Sequence, residues 1–359
     1  MRYLYTLPLT LLLLVSCKND KEEEAGTAVD YAKTDWAYYK LKGKVKSFSE
    51  KSYTYAGSKK GAPGSENQAL DIDVAFNSRG MQVTDKRYNA GGLAEESVYQ
   101  GKNKLVKTIQ YINNLPGITT QYSRDKKGNV TSIIRRDKSN AQIDRVEMKF
   151  QGKNMVEKNT YNNQDHPIDM NTYVYDKSGN MTGESNFMGI QSAKVRVAYA
   201  YDEKGHKTEE MRYTEDKLVE KTAYLYKDGK LVSKETSSGN SALEYVEKYV
   251  YDKNGNLTVV FSFDKPRNLR VEETYTYDNN NNRLSYTEKE NEKLIQKTAY
   301  TYDKNNNLTA AVTVDATGKK ADDRSYAYEY DSNNNWTKKI VTIKGEPAFV
   351  VERTYTYHE

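Results

Sequence analysis

Oxygen-bearing side chains recur at alternate positions in several short segments of the chain, and calcium loops use the same spacing. Asp252, Asn254 and Asn256 form one such segment, and residues 303–307 and 331–335 repeat it. Each segment supplies one carboxylate and lacks the distal Glu that completes an EF-hand. Asp, Asn and Gly also favour tight turns, because they tolerate left-handed backbone. We therefore interpret the segments as structural turns and expect no bound metal and no cofactor.

The remaining polar residues give little support for catalytic chemistry. The chain has three histidines, His166, His206 and His358, which are not at metal-ligand spacing from one another. None adjoins a Ser or Cys nucleophile motif, and the glycines fall in turns rather than in a phosphate-binding loop. We therefore expect a non-enzymatic protein, with a hydrolase of unrecognised site as an alternative.

Tyrosine is the residue type best placed to bind a ligand. The chain contains 32 tyrosines, and many lie in the pattern Tyr-x-Tyr-Asp-x-x-Gly/Asn-Asn-x-Thr. We call the first tyrosines of this pattern the ladder, and they are Tyr173, Tyr199, Tyr224, Tyr249, Tyr275, Tyr300, Tyr328 and Tyr355. Aromatic rings supply large contact areas and can stack on the apolar faces of sugars. The ladder is therefore either a ligand-binding surface or the core of the fold.

The second tyrosine of the pattern, which we call the anchor, shows that the chain is a repeat. Anchors lie at Tyr175, Tyr201, Tyr226, Tyr251, Tyr277, Tyr302, Tyr330 and Tyr357, with 25 to 28 residues between neighbours. Four weaker copies precede them, with anchors at positions 76, 99, 124 and 150. A fixed period of this size is typical of a repeat array, here of twelve units.

Each unit alternates with the period of a β-strand on both sides of its turn. Residues 194–201 place Val and Tyr on one face against Lys, Arg and Ala on the other. After the turn, Leu257, Val259, Phe261 and Phe263 are expected to share one face. Each unit thus predicts an antiparallel β-hairpin.

Twelve such hairpins predict an all-β antiparallel meander of about two dozen strands, in units of about 25 residues. Open twisted sheets rarely exceed ~10 strands without curling. We therefore expect the sheet to curl into a spiral or an incomplete barrel, with the aromatic face inward. In such a linear array the last anchor, Tyr357, has a neighbouring unit on one side only.

The Tyr-x-Tyr-Asp-x-x-Gly-Asn pattern resembles the YD repeat of Rhs-type proteins and teneurins. The resemblance is strong over residues 165–359 and weaker over residues 70–164. It implies spiralling β-sheets around a hollow interior. Rhs toxins carry an Asp-Pro self-cleavage site, and this chain contains no Asp-Pro pair. The chain is more similar to short Bacteroidetes lipoproteins built of YD-like repeats.

The pattern of charges argues against nucleic-acid binding and against a membrane-spanning barrel. Lys and Arg number 55 against 50 Asp and Glu, and the mean hydropathy is -0.93. The charges alternate along the strands without forming a basic patch, so we expect no nucleic-acid binding. Lys, Glu and Arg also occupy the face opposite the tyrosines, where a membrane-spanning barrel would need an apolar band.

The N-terminus indicates a lipid anchor. A basic start and the apolar run Leu4 to Val15 end at Cys17, the single cysteine, and the segment resembles a bacterial lipobox. We predict a signal peptide at 1–16, a disordered tether at 17–33, a capping strand and loop at 34–69, and the YD-like array at 70–359.

The acidic run 22–24 is similar to the export signal of surface lipoproteins of Bacteroidetes. We therefore expect an outer-membrane lipoprotein, and we favour exposure on the cell surface over the periplasmic face. Its role is that of a structural or binding module, with surface glycan binding as the alternative. Its partners are the membrane, through the lipid, and a glycan or other envelope polymer. The oligomeric state stays open.

Membrane attachment tests the lipobox. Two or three acyl chains hold a protein stably on a bilayer, whereas one chain is marginal. We expect Cys17→Ala to move the protein from the membrane fraction to the soluble fraction, as measured by centrifugation of lysed cells. Retention of the variant on membranes at the wild-type level would show that the lipobox interpretation is wrong.

Overall fold

A computed structural model describes residues 29–57, 59–65, 71–89, 92–101, 104–188, 195–239 and 242–359. The predicted signal peptide, Cys17 and most of the predicted tether lie outside the described residues. The described chain contains a 3-10 helix (Tyr31–Lys33), the helix α1 (Asp35–Tyr38) and 25 strands. No helix within these ranges is long and apolar enough to cross a membrane.

The strands are β1 Val45–Ala56, β2 Lys59–Pro63, β3 Asp71–Phe76, β4 Gln82–Asn89, β5 Gly92–Gln100, β6 Lys104–Ile112, β7 Leu115–Arg124, β8 Val130–Arg136, β9 Gln142–Gln151, β10 Asn154–Asn162, β11 Pro167–Tyr175, β12 Met181–Met188, β13 Val195–Tyr201, β14 Lys207–Thr214, β15 Lys217–Lys227, β16 Lys230–Ser238, β17 Leu243–Tyr251, β18 Leu257–Asp264, β19 Leu269–Tyr277, β20 Arg283–Glu290, β21 Lys293–Tyr302, β22 Leu308–Asp315, β23 Lys320–Tyr330, β24 Trp336–Ile343 and β25 Glu346–Tyr357. From β3 onward each strand pairs antiparallel with the next. The predicted all-β hairpin meander is confirmed.

The sheet closes on itself, and the prediction of a spiral or incomplete barrel is wrong. β1 pairs with β25 from Val45 opposite Tyr357 to Thr54 opposite Phe349. The other edge of β1 pairs with β3, and the C-terminal end of that edge pairs with β2. The 25 strands less β2 therefore form a closed ring of 24.

A linear meander would expose an unpaired strand at each end of the sheet. Pairing these two edges is the physical reason for closure. An unpaired edge strand presents free N–H and C=O groups to other chains. Here β25 is the first strand of the twelfth unit, and β1 takes the place of its second strand. The N-terminal strand is thus a seam rather than the end cap that we expected. The predicted loop after it also contains a strand, because Lys59–Pro63 folds back on β1.

Within each unit the turn after the anchor is followed by a β-bulge, which decides which side chains of the returning strand face the tyrosines. Tyr251 lies opposite Leu257, but Val250 lies opposite Val259, so the register shifts by one residue. Leu257 therefore shares the face of Tyr251, whereas Val259 and Phe261 lie on the other face. The expectation that these apolar residues share one face is wrong for Leu257, because the bulge inverts the alternation.

The face that carries the ladder and anchor tyrosines, which we call the tyrosine face, is the inner one. Side chains on the opposite face include Val174 and Leu225, each 61% exposed. That face also carries ion pairs between adjacent strands, such as Lys221–Glu209 at 2.6 Å. The ladder and anchor tyrosines are only partly exposed. This is expected on the concave side of a barrel, because side chains are crowded there. Twenty-four strands at about 4.8 Å enclose a ring on the order of 40 Å across.

The Asp-containing turns are held by their own side chains. In the turn that begins at Asp252, Oδ1 accepts the N–H groups of Asn254 and Asn256, both at 2.9 Å. Asp303 and Asp331 bond their turns in the same way. The side chain of Asn256, followed by these backbone donors, lowers the pKa of Asp252. The turn geometry predicted for these segments is present.

The anchor hydroxyls join consecutive units. Tyr175, Tyr201, Tyr277 and Tyr302 each donate to the backbone carbonyl that opens the returning strand of the preceding unit, at 2.7 to 2.9 Å. Arg124 occupies the anchor position of a weaker unit, and its guanidinium donates to the carbonyl of Leu105 at 3.2 Å. The degenerate unit thus keeps the same link with a different donor.

The N-terminal segment packs against the seam on the tyrosine face. Trp36 is 4% exposed and Leu41 is 1% exposed, and they pack with Phe48 of β1 and Phe76 of β3. The indole N–H of Trp36 donates to the carbonyl of Val45 at 2.7 Å. Gly80 has a φ of +76°, and a Cβ there would lie 2.5 Å from the Trp36 ring, so only glycine fits.

Closure makes a prediction that a linear array does not. Tyr357 faces β1 on one side and bonds Asp331 and Asn335 of the preceding unit on the other. It is therefore as enclosed by neighbouring units as Tyr277 is. We expect Tyr277→Ala and Tyr357→Ala each to lower the free energy of unfolding by about 3 kcal/mol, measured by urea denaturation of the purified protein.

The control is Tyr38→Ala in α1, where the side chain is 80% exposed. Its loss should be about 0.5 kcal/mol or less. A loss at Tyr357 close to that of Tyr38, with the full loss at Tyr277, would indicate that the seam between β1 and β25 does not form.

Candidate functional site

The structure gives each ladder tyrosine a different neighbour directly across the strand pair. All eight lie on the tyrosine face, and their partners range from charged to apolar side chains. The pairs are Tyr173–Glu184, Tyr199–Glu210, Tyr224–Lys234, Tyr249–Val260, Tyr275–Tyr286, Tyr300–Ala311, Tyr328–Lys339 and Tyr355–Phe48. The ladder is regular in position but not in environment.

Successive ladder tyrosines do not form one continuous stack. They lie two strands apart, about 9.6 Å across the strands, and the register shifts them by two further residues along the strand. The ring pairs found along the ladder involve other neighbours, such as Tyr275 with Tyr286 at 5.4 Å and Tyr328 with Trp336 at 6.2 Å. Stacking from unit to unit, which a repeat of identical strands would allow, is interrupted by the returning strand between each pair.

In β12–β16 the protein's own cation covers the tyrosine rings. The ammonium of Lys207 lies 5.3 Å from the ring centre of Tyr199 and 4.6 Å from that of Tyr224. It also pairs with Glu210 at 2.7 Å, and Glu210 accepts the hydroxyl of Tyr224 at 3.1 Å. The hydroxyl of Tyr199 donates to Glu184 at 3.0 Å. These rings and hydroxyls are largely used by internal contacts.

In β19–β21 the tyrosines surround two carboxylates instead. Glu273 accepts the hydroxyls of Tyr275 at 3.0 Å and of Tyr286 at 2.9 Å. The Tyr286 oxygen also lies 3.1 Å from Glu288, which accepts the side-chain amide of Gln296 at 2.6 Å. Burial, and then the hydrogen bond to Glu273, raise the pKa of Tyr275 to about 12.

Near the seam the ladder is part of the packed core. The Tyr355 ring lies 6.2 Å from that of Phe48, and its hydroxyl donates to the carbonyl of Trp336 at 2.8 Å. Arg353 covers the Trp336 ring at 4.0 Å and pairs with Glu50 at 2.7 Å. Burial raises the pKa of Tyr355 to about 12. This end of the ladder serves stability.

The histidines have structural neighbours. His206 stacks on the Tyr226 ring at 4.7 Å, and its Nδ1 lies 2.9 Å from Asp202 of the same turn. The Nε2 of His358 lies 3.1 Å from the carbonyl of Phe76 across the seam. The described residues contain no group of three or more His, Cys, Asp and Glu side chains arranged to hold a metal ion.

A cavity of about 450 Å³ lies between two consecutive Asp turns. Its walls combine turn residues with one ladder and one anchor tyrosine, and they include Asp176, Asn180, Thr182, Tyr199, Tyr201 and Lys204. Both Asp176 and Asp202 already accept backbone N–H groups of their own turns. Their oxygens are therefore committed to the turns.

Sequence reasoning missed the carboxylates of the tyrosine face. Glu247 and Glu273 stand two residues before Tyr249 and Tyr275, so strand alternation places each on the same face as its tyrosine. That signal was available in the pattern Glu-x-Tyr-x-Tyr. Glu184 and Glu288 lie on returning strands, and their facing depends on the bulge that precedes them.

Comparison with known proteins identifies no family. No family profile and no curated protein matches the sequence. Among solved structures, the fold is similar to the crystal structure of TcdB2-TccC3-TEV, at 12% identity and a TM-score of 0.44 over 80% of this chain. The chain spans 18% of the length of that structure. A porin-like protein from Bacteroides uniformis is similar at 10% identity and a TM-score of 0.23, over 87% of this chain and 98% of that one.

The raised pKa values of tyrosines on this face predict that the folded protein loses stability at alkaline pH. Burial raises the pKa of Tyr199, Tyr224 and Tyr249 above their usual value, and neighbouring carboxylates add to the effect. A raised pKa means that these groups stabilise the fold fully below pH ~10, where unfolded tyrosine titrates, and lose that contribution above it. We expect the urea midpoint to be constant between pH 7 and 9 and to fall steeply above pH 10.

Tyrosinate absorbance provides the measurement within the same experiment. The folded protein should ionise at higher pH than the same protein in concentrated urea. Superimposable titration curves for the folded and urea-unfolded protein would contradict the assigned burial of these tyrosines.

Proposed function

We propose that this chain is a non-enzymatic, lipid-anchored protein of the outer envelope whose barrel binds an extended glycan along the tyrosine face. The lipobox around Cys17 supports the anchor, and the acidic run 22–24 favours the cell surface over the periplasmic face. The proposal for the barrel rests on side chains of the inner wall.

The single observation that carries the proposal is the repeated pairing of a partly exposed tyrosine with a fixed hydrogen-bonding side chain. Tyr275 and Tyr286 with Glu273 are examples, at 3.0 and 2.9 Å. A sugar ring presents an apolar face, which an aromatic ring can cover, and hydroxyls, which a carboxylate can accept. The strands around Glu273 offer both kinds of contact close together.

Repetition favours a polymer over a small ligand. Equivalent positions recur about 9.6 Å apart around the ring, because each unit adds two strands. A polymer that contacts several units gains avidity from individually weak contacts. A single sugar would contact one unit and gain none of this effect.

A purely structural module is the second candidate, and one region favours it. Tyr355, Phe48 and Trp36 form a packed cluster at the seam, and Phe48 is 2% exposed. Tyrosines in that region contribute to stability alone. The two candidates differ over the rest of the ladder, where the rings are partly exposed.

Binding as a function of ligand length tests the proposal. We expect the detergent-solubilised protein to bind neutral oligosaccharides with an affinity that rises with length, measured by isothermal titration calorimetry. Because the contacts are stacking and hydrogen bonds, the affinity should change little between 50 and 300 mM salt. Binding that disappears over this range of salt, or a monosaccharide that binds as tightly as a polymer, would contradict the proposal.

A further inference from the structure

On the tyrosine face between β17 and β22, Arg283 covers the Tyr275 ring at 5.0 Å, but two other ladder tyrosines have small partners. Tyr249 lies opposite Val260, and Tyr300 lies opposite Ala311. These small partners leave space beside the rings, whereas Lys207 fills the corresponding space beside Tyr199 and Tyr224. Both rings are partly exposed.

One cross-strand row connects this open aromatic position to a series of polar side chains. Each member lies directly opposite the next, and the row runs Tyr249, Val260, Glu273, Glu288, Gln296, Asp315. Five strand spacings make it about 24 Å long. An extended ligand lying across the strands would meet a ring at one end and a line of carboxylate and amide oxygens after it.

The hydrogen bonds of this row leave acceptor capacity for a ligand. Tyr286 has one hydroxyl hydrogen but lies within 3.1 Å of both Glu273 and Glu288, so it can donate to only one of them. The bonds described for Glu288 involve Oε2, from Tyr286 and Gln296. Within the described chain, Oε1 of Glu288 stays available for a hydroxyl donor.

The charge of this stretch restricts the ligand. The strand register places six carboxylates on the tyrosine face from β17 to β22: Glu247, Asp264, Glu273, Glu288, Glu290 and Asp315. Two of them have a cation from outside these strands, since Glu247 pairs with Lys234 at 3.1 Å and Asp264 pairs with Arg267 at 3.3 Å. Arg283 and Lys293 are the two cations that the same register places there. A polyanion would be repelled, whereas a chain of neutral sugars supplies the hydroxyl donors that carboxylates accept.

We infer that β17–β22 is the primary glycan subsite of the barrel and that it selects neutral over acidic polysaccharide. The inference rests on the proposed function, since it specifies where on the tyrosine face the glycan lies. Tyr249 stacks on a sugar ring at one end of the row. Glu273 and Glu288 accept sugar hydroxyls further along the row.

The test uses the detergent-solubilised full chain with cello-, malto-, manno- and xylohexaose as neutral probes and hexagalacturonate as the acidic one. Calorimetry should show at least one neutral hexasaccharide binding at least tenfold more tightly than hexagalacturonate. Tyr249→Ala should weaken neutral binding about tenfold, because the stacking surface is lost. Glu273→Gln should weaken it about fivefold and reduce the discrimination against hexagalacturonate, because a charged acceptor becomes a neutral one.

Matched controls come from the opposite face. Glu272 is the neighbour of Glu273 on β19 but pairs with Lys289 outside, at 3.3 Å, so Glu272→Gln should leave the affinity within twofold. Tyr213→Ala removes an outer-face ring that Arg196 covers at 3.8 Å and serves as the control for Tyr249→Ala. Thermal unfolding of each variant shows whether it is folded.

The outcomes separate the two hypotheses. If a neutral hexasaccharide binds but Tyr249→Ala and Glu273→Gln behave like their controls, the subsite is wrong and glycan binding stands. Equal affinity for hexagalacturonate and neutral hexasaccharides would overturn the selectivity. If none of the hexasaccharides binds the wild-type protein, the proposed function itself fails.

Discussion

The fold depends on a hydrogen bond between units that is independent of the strand ladder. In four units the anchor hydroxyl donates to a backbone carbonyl at the start of the returning strand of the preceding unit, as Tyr277 does for Leu257 at 2.8 Å. Tyr330 and Tyr357 instead donate to the turn carboxylates Asp303 and Asp331 of the preceding unit. Both kinds of bond tie one unit to the next. This explains why Tyr recurs at one position while the side chains around it vary, and why Arg124, another long donor, can replace it.

The local part of the structure was predictable from the sequence, and the closure was not. Strand alternation and Asp turns are properties of ten to fifteen consecutive residues, so the hairpins, their number and turns such as that at Asp252 follow from the pattern. The seam joins Val45 to Tyr357, and no local pattern states which distant edge a strand will meet. The sequence predicts a strand within residues 34–69 in either case. Whether that strand caps an open array or closes a ring depends on the twist accumulated over all twelve units.

Closure also changes what the tyrosine face can be. In an open spiral the ladder would run from an exposed end into the interior of the spiral. Its tyrosines would then differ only in how deeply they are buried. In a ring each ladder tyrosine faces the same lumen, so its environment is decided by the side chain across from it. Lys207 beside Tyr199, Glu273 beside Tyr275 and Ala311 opposite Tyr300 produce three different local surfaces from one backbone position. The candidate site could therefore not be read from the tyrosines alone, because the bulges decide which residues of the returning strand face them.

The distribution of charge across the wall follows from the same geometry. On the outer face Lys and Glu of adjacent strands pair with each other, as in Lys221–Glu209 and Lys289–Glu272, and such exposed pairs contribute little to stability. On the inner face between β17 and β22, Glu247 and Asp264 pair with Lys234 and Arg267, whereas Glu273 and Glu288 accept hydrogen bonds from tyrosine hydroxyls and an amide. A neutral donor holds a carboxylate in position without cancelling its charge. The inner wall there keeps a fixed negative potential and ordered acceptors, which is the arrangement that a hydroxyl-rich, uncharged ligand can use and that an anionic one cannot.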